Sequence, residues 1–292
     1  MTCAERVAWR EFHFTAPDGL KLFGRECGPQ GSRLTPLLCL AGLTRNSKDF
    51  EPMAAKLRGR RIIAFDYRGR GRSQYADPAT YSPRHELADC LGLLDHLRID
   101  KACVVGTSRG GIIAMLMAQL QGARIEGAVL NDIGPRLETE GLVRIARLIR
   151  QHSEFQSWEE AANELRTRSP ETSGLTDADW VCFARRLYKE EAGTIVRDYD
   201  SALALSFPLP EEVARETQPQ LWTQFAALKE KPCAVLRGEF SDLLSETTVR
   251  DMAAVHKELI TVFVRGRGHV PFLDEPESIA AVLRVAERCD GL

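Results

Sequence analysis

The sequence predicts an α/β protein, with a mostly parallel central sheet, helices on both faces and a helical cap inserted between two of its strands. Three observations carry this. Short runs that are apolar on successive residues recur along the chain, helical patterns separate most of them, and one long stretch shows helical patterns alone. A strand apolar on successive residues is buried on both faces, the environment of a parallel sheet flanked by helices.

The elements follow in order. Residues 7–25 read as a hairpin: Phe12 and Phe14 alternate with polar neighbours, Asp18-Gly19 turns the chain, and Leu20 and Leu22 alternate on the return. The buried runs are Leu37–Leu40, Ile62–Phe65, Ala102–Val105, Gly127–Leu130, Cys233–Leu236 and Ile260–Val264. Ser82-Pro83, an N-cap followed by an N1 proline, opens a helix that runs to about Arg98. Further helices are expected just after Ser108, over 246–258, and over 277–288 behind Pro276. Between Pro135 and Pro219 no buried run occurs, and the segment reads as wholly helical. Ser157 with Glu160 has the spacing of a capping box, and Thr176 with Asp179 a weaker version. The expected division is therefore a core of residues 1–134 and 220–292, with residues 135–219 as a lid.

Composition narrows the function classes. In 292 residues, 39 Lys+Arg stand against 41 Asp+Glu, a net charge of −2, which argues against nucleic acid or an anionic membrane as main partner. Hydrophobic residues at 44% and charged residues at 27% are globular values and exclude wholesale disorder. The apolar run from Ile112 to Ala118 is far shorter than the roughly 20 residues of a membrane helix. The amino terminus carries no apolar signal core. The eight cysteines include no C-x-x-C pair, and several lie inside apolar runs, so reduced thiols and a cytoplasmic location are expected. No cofactor or metal is expected, since there is no H-E-x-x-H, no cysteine–histidine cluster and no G-x-G-x-x-G after the first parallel strand. The oligomeric state stays open, a homo-oligomer included.

The chemistry-bearing constellation begins where Ala102–Val105 runs into Gly106-Thr107-Ser108-Arg109-Gly110 and then an apolar helix. This is G-x-S-x-G between strand and helix, the geometry of a nucleophile elbow. A serine forced into so tight a turn needs side-chain-free neighbours, and the helix beyond it aims free N–H groups at developing negative charge. A serine hydroxyl needs a base, and the base needs an orienting acid. His269, in Gly266-Arg267-Gly268-His269 after a buried run, is the expected base. The expected acid is Asp242, in the loop after Cys233–Leu236, with Glu239 in the same loop and Asp132 after Gly127–Leu130 as alternatives. The backbone N–H groups of Leu43, in Ala41-Gly42-Leu43-Thr44, and of Arg109 are the expected oxyanion donors.

These residues resemble the α/β-hydrolase superfamily over nearly the whole chain. Ala41-Gly42-Leu43 stands where that family usually has His-Gly-x, and Asp66-Tyr67-Arg68-Gly69-Arg70-Gly71-Arg72-Ser73 looks like its D-x-R-G-x-G-x-S loop, read here as structural. Gly106-Thr107-Ser108 with a helical cap is most similar to the enol-lactonase and carboxylesterase members. The resemblance implies the α/β-hydrolase fold and hydrolysis of a small-molecule carboxylic ester or lactone through an acyl-enzyme on Ser108. Carbon–carbon bond hydrolysis, or service as a non-catalytic ligand receptor, are the alternatives; Val270-Pro271 after His269, in place of the tryptophan usual in carbon–carbon hydrolases, counts against the first.

Two groups of residues bear on substrate. Arg109, beside the nucleophile, and Arg45 are candidates for meeting a substrate carboxylate, although a cation there also pairs readily with an acidic group of the protein. Trp158, Trp180, Phe183 and Trp222 are candidates for a pocket wall, with ordinary packing as the plainer role. Arg144, Arg147 and Arg150 read as the solvated face of a lid helix, with a membrane-touching amphipathic helix as the alternative.

Overall fold

The chain's structure is a computed structural model that describes residues 7–215, 218 and 220–292. The first part of the chain supplies β1 (Arg10–Thr15), β2 (Lys21–Cys27), β3 (Leu37–Leu40), α1 (Glu51–Lys56), β4 (Ile62–Phe65), α2 (Pro83–His96), β5 (Ala102–Thr107), α3 (Arg109–Leu120) and β6 (Ile125–Asn131). Next come α4 (Thr139–Leu148), β7 (Glu154–Phe155), α5 (Trp158–Arg168), α6 (Asp177–Leu187), β8 (Tyr188–Glu191), β9 (Thr194–Arg197), α7 (Pro210–Arg215) and α8 (Trp222–Ala226). The chain then closes with β10 (Cys233–Gly238), α9 (Glu246–Val255), β11 (Ile260–Val264) and α10 (Pro276–Cys289).

Eight strands form one sheet in the order β1-β2-β4-β3-β5-β6-β10-β11. The β1–β2 hairpin pairs antiparallel to the edge of β4, and the strands from β4 to β11 run parallel. Every residue of β3, β4, β5 and β10 is buried, as their continuous apolar runs require. β11 is the exception. It lies at the sheet edge, its exposure alternates, and Phe263 is 48% exposed. The chain leaves β3 toward β4 on one side and returns to β5 on the other, so a topological switch point falls between β3 and β5. Loops diverge there and open a crevice at the carboxyl ends of the strands.

The segment between β6 and β10 departs from the all-helical expectation. Its helices are joined by a three-stranded antiparallel sheet, β7-β9-β8. Two to four residues long and mostly not buried, these strands leave no apolar run to read. The β8–β9 turn is a two-residue loop with both residues, Ala192 (φ 50°) and Gly193 (φ 83°), in the left-handed region that suits a tight hairpin. Phe155, Ala161, Leu165, Trp180, Ala184, Tyr188 and Ile195 close a small hydrophobic cluster of their own.

Local signals hold with two adjustments. The Ser82 hydroxyl caps α2 by accepting from the His85 N–H, with Pro83 at the first helical position. Of the two spacings read as capping boxes, Thr176–Asp179 forms both reciprocal bonds, whereas Ser157 accepts from the Glu160 N–H and Glu160 turns instead to the Gln156 N–H. Cys27, Cys39, Cys90, Cys103, Cys233 and Cys289 are buried free thiols, but Cys182 is disulfide-bonded, against the expectation of reduced cysteines throughout. Among the described residues, no helix is long and apolar enough to cross a membrane.

Close packing at the elbow makes a direct test. A Cβ on Gly110 would be driven into the Leu40 carbonyl oxygen on β3, and one on Gly106 would lie 2.5 Å from the Gly110 carbonyl carbon. Both obstacles are backbone that cannot yield without parting strand and helix. Gly110→Ala is expected to destabilise the protein by about 2 kcal/mol or more, read as a lower urea midpoint at unchanged m-value.

Candidate active site

Ser108 ends β5 and precedes α3, with φ 50° and ψ −110°, a strained conformation for a residue with a side chain. Its N–H donates to the Asn131 carbonyl (3.0 Å) and its carbonyl accepts from Gly111 and Ile112, which locks the turn. The parallel register pairs Thr107 with Asn131, so Ser108 and Asp132 leave neighbouring strands at the same level.

His269 lies in the loop after β11. Its Nε2 is 3.1 Å from Ser108 Oγ, and its Nδ1 is 2.7 Å from Asp132 Oδ2. Asp132 is fully buried, and three donors converge on its carboxylate. The Gly238 N–H reaches Oδ1 at 2.9 Å, while the Ser241 hydroxyl (2.6 Å) and His269 reach Oδ2. With Nδ1–H given to Asp132, Nε2 is free to accept the Ser108 proton.

The carboxylate on His269 is therefore that of Asp132, and the expectation of Asp242 is corrected. Asp242 makes a two-point pair with Arg144 of α4, Nε to Oδ2 at 2.5 Å and Nη2 to Oδ1 at 2.8 Å. Burial pushes its pKa up, but the Arg144 bonds and charge, and then His269, hold it below the ordinary carboxylate range. Glu239 is also elsewhere, accepting from the Gly266 N–H at 2.8 Å. Asp242 attracts attention because it follows β10 and lies within the field of His269. What separates the two is sheet neighbourhood, which the structure supplies: Asp132 immediately follows the strand paired with the nucleophile's own. Ser241, which bridges the β10 loop to Asp132 and accepts from the N–H groups of Leu243 and Leu244, escaped sequence reading altogether.

The two expected oxyanion donors flank the serine. A Cβ on Gly42 would lie 4.0 Å from the Ser108 Cβ, so the loop carrying Leu43 passes directly beside the nucleophile. The Leu43 N–H has no acceptor among the described residues, and that of Arg109 is a first-turn helix donor without an intrahelical partner. The Leu43 carbonyl is held by Arg70 Nε at 3.0 Å.

The arginine-rich loop is structural, as expected. Arg68 forks onto Asp89, and Arg70 pairs with the fully buried Glu86 at 2.9 Å. Asp66, whose pKa burial pushes up, accepts the N–H groups of Ser47 and Arg72. The Arg109 side chain joins this cluster 3.5 Å from Glu86, away from the cavity, and is not placed to meet a substrate. Arg45 borders the cavity but is committed to Asp49.

A cavity of about 270 Å³ opens onto Ser108 and His269, near the low end for ligand sites. Its walls come from the loop after β3, from α4, α5 and α6, and from Val270–Leu273. Phe183 is the one expected aromatic that borders it, 4.6 Å from Phe272 between ring centres. Trp158 and Trp180 pack with the small cluster and Trp222 against the main core. Among the described residues no three His, Cys, Asp or Glu side chains gather as a metal site.

Residues 37–282 match the model of the Alpha/beta hydrolase family. The chain belongs to that family. It is 34% identical over 252 residues to a 3-hydroxybutyrate-oligomer hydrolase of Cupriavidus necator, covering 84% of this chain and 85% of the relative. It is 26% identical over 235 residues to a 2-(acetamidomethylene)succinate hydrolase of Mesorhizobium japonicum, covering 80% and 81%. An alpha/beta hydrolase from Novosphingobium aromaticivorans superposes with a TM-score of 0.89 at 40% identity, covering 97% of this chain and 99% of that one. The eight-stranded sheet and its helices are those of the α/β-hydrolase fold, and the chain is a hydrolase.

The Arg144–Asp242 pair ties α4 to the β10 loop and has its own pH signature. Because the folded-state pKa of Asp242 is depressed, its stabilisation is present above the unfolded value near 3.9 and lost as pH falls through the folded value. Asp242→Asn is expected to lower Tm at pH 7 by about 2–4 °C, with the gap from wild type narrowing as the pH falls below about 4; thermal scans across that range check it.

Proposed function

We propose that the protein is a serine hydrolase that cleaves a carboxylic ester or lactone of a small molecule through an acyl-enzyme on Ser108. The observation that carries this is the unbroken relay from Ser108 Oγ to His269 to Asp132, at 3.1 and 2.7 Å. His269 takes the Ser108 proton as the oxygen attacks the carbonyl carbon. The Leu43 and Arg109 N–H groups, with the α3 dipole behind them, stabilise the oxyanion. Asp132 holds the imidazole's orientation and offsets its charge. His269 returns the proton to the leaving alkoxide, then takes one from water as that water attacks the acyl-enzyme, and Ser108 is regenerated. The similarity to a 3-hydroxybutyrate-oligomer hydrolase, whose substrates are joined by ester bonds, supports ester chemistry over the alternatives.

With p-nitrophenyl acetate, the wild type is expected to show steady turnover and Ser108→Ala none above the solvent rate. Absence of serine-dependent turnover on any short ester or lactone would sink the reading. Asp132→Asn is expected to lower kcat by about 10³- to 10⁴-fold, because the imidazole then presents the wrong tautomer, while Asp242→Asn stays within about tenfold of wild type. Equal losses in the two variants would return the acid's role to open question between the two loops and refute the assignment to Asp132.

A further inference from the structure

Five arginines border the cavity, Arg45, Arg144, Arg168, Arg186 and Arg197, against the two carboxylates of Asp49 and Glu171. Four of the five are engaged. Arg45 holds Asp49, Arg144 holds Asp242, Arg168 pairs with Glu164, and Arg197 donates to the Leu148 and Ile149 carbonyls at the end of α4. Arg186 is different. Among the described residues its guanidinium enters no hydrogen bond or ion pair, and its Nε is sealed from solvent without a partner. Its neighbour is the Phe183 ring, whose centre lies 5.3 Å from its Cζ, and the same ring carries the Arg45 guanidinium at 4.9 Å.

Helix α6 explains the placement. Phe183, Arg186 and Leu187 stand at i, i+3 and i+4, so they share a face, and all three border the cavity. Asp49, Asp274 and Glu51 act on Arg186 through space and Arg45 opposes them, while Asp49 is already bound by Arg45. Burial pushes the Arg186 pKa below its ordinary value, the mark of a cation short of compensation. Arg186 is partly exposed, with its Nε sealed from solvent, and a partly desolvated charge without a partner gains from a bound anion. A planar guanidinium suits a carboxylate, and the nearby Asp49 and Glu171 disfavour ligands of higher negative charge. Arg186 and Ser108 border the same cavity, whose walls also include Leu148, Ile145 and Phe272, apolar surface that suits a short carbon chain.

We propose that Arg186 is the carboxylate-recognition residue of this cavity, and that the substrates are small esters carrying a free carboxylate, seated with that group on Arg186 and the scissile carbonyl at Ser108. This rests on the ester-hydrolase reading above and assigns to α6 the role that Arg109 suggested in the sequence.

The test compares mono-p-nitrophenyl glutarate with p-nitrophenyl pentanoate, two esters matched in acyl length and differing in charge, on the wild type, Arg186→Gln and Arg186→Lys. The wild type is expected to favour the charged ester. Arg186→Gln is expected to lower kcat/KM for it by about 30- to 100-fold, mainly through KM, and for the neutral ester by about threefold or less, with Arg186→Lys recovering part of the loss. Monomethyl glutarate, a monoanion, is expected to bind the Ser108→Ala protein in calorimetry and to lose that affinity when Arg186→Gln is added. Equal losses on both esters, or no monomethyl glutarate binding to Ser108→Ala, overturns the proposal. Turnover of neither ester by the wild type overturns the ester-hydrolase reading instead, and the monomethyl glutarate titration still decides the role of Arg186.

Discussion

The parallel pairing of β5 with β6 is the constraint on which the site depends. It sets Thr107 opposite Asn131, so that the next residue of each strand, Ser108 and Asp132, emerges at the same height. Both have positive φ, and both turn out of the sheet at once. Backbone strain of that kind persists only where surrounding contacts over-determine it. Here the Ser108 N–H is bound by Asn131, the Asp132 N–H by Leu236, and α3 is pressed onto β3 through Gly110. His269 then needs to reach only from the end of β11 to span the short gap between two side chains already aligned.

Charge pairs fasten the arrangement above the sheet alongside the apolar packing of α4 and α7 on the main core. The arginine-rich loop beneath the cavity anchors the Leu43 carbonyl through Arg70, and its backbone meets the chain after β9, with Gly71 N–H on Asp198 and Asp200 N–H on Gly69. The Tyr81 hydroxyl adds a bond to Asp200 at 2.6 Å. On the opposite side Arg144 and Asp242 join α4 to the loop that carries Ser241. The roof of the cavity is thus fastened at both ends to loops that shape the floor. The α5–α6 part of the roof packs as a separate small cluster, whereas α4 and α7 pack into the main core.

Arginine neighbours of the cavity divide into those already satisfied within the protein and one that is not. A count of positive residues near a serine says little about anion binding, because Arg45, Arg109 and Arg144 all spend their charge on Asp49, Glu86 and Asp242. What marks Arg186 is the lack of such a partner among the described residues, a property of three-dimensional surroundings rather than of residue type.

Much of this protein was legible in the order of its residues. Continuous apolar runs mark strands buried on both faces, Ser82-Pro83 marks a helix start, and a serine between glycines at a strand-to-helix junction marks a tight turn; each signal is local, spanning a few residues, and each element appears where it was read. The short half-exposed strands β7, β8 and β9 escaped because their pairing, not their composition, makes them strands. The same limit governs the acid. Asp132 and Asp242 both follow sheet strands, and no local pattern separates them. Sequence alone determined the sheet, the elbow serine and the histidine loop, because these rest on periodicity and steric rules within one segment. Tertiary structure alone decided that Asp132 faces His269, that Asp242 and Arg109 turn to other partners, and that Arg186 has none among the described residues, because pairing among charges depends on distances between segments far apart along the chain.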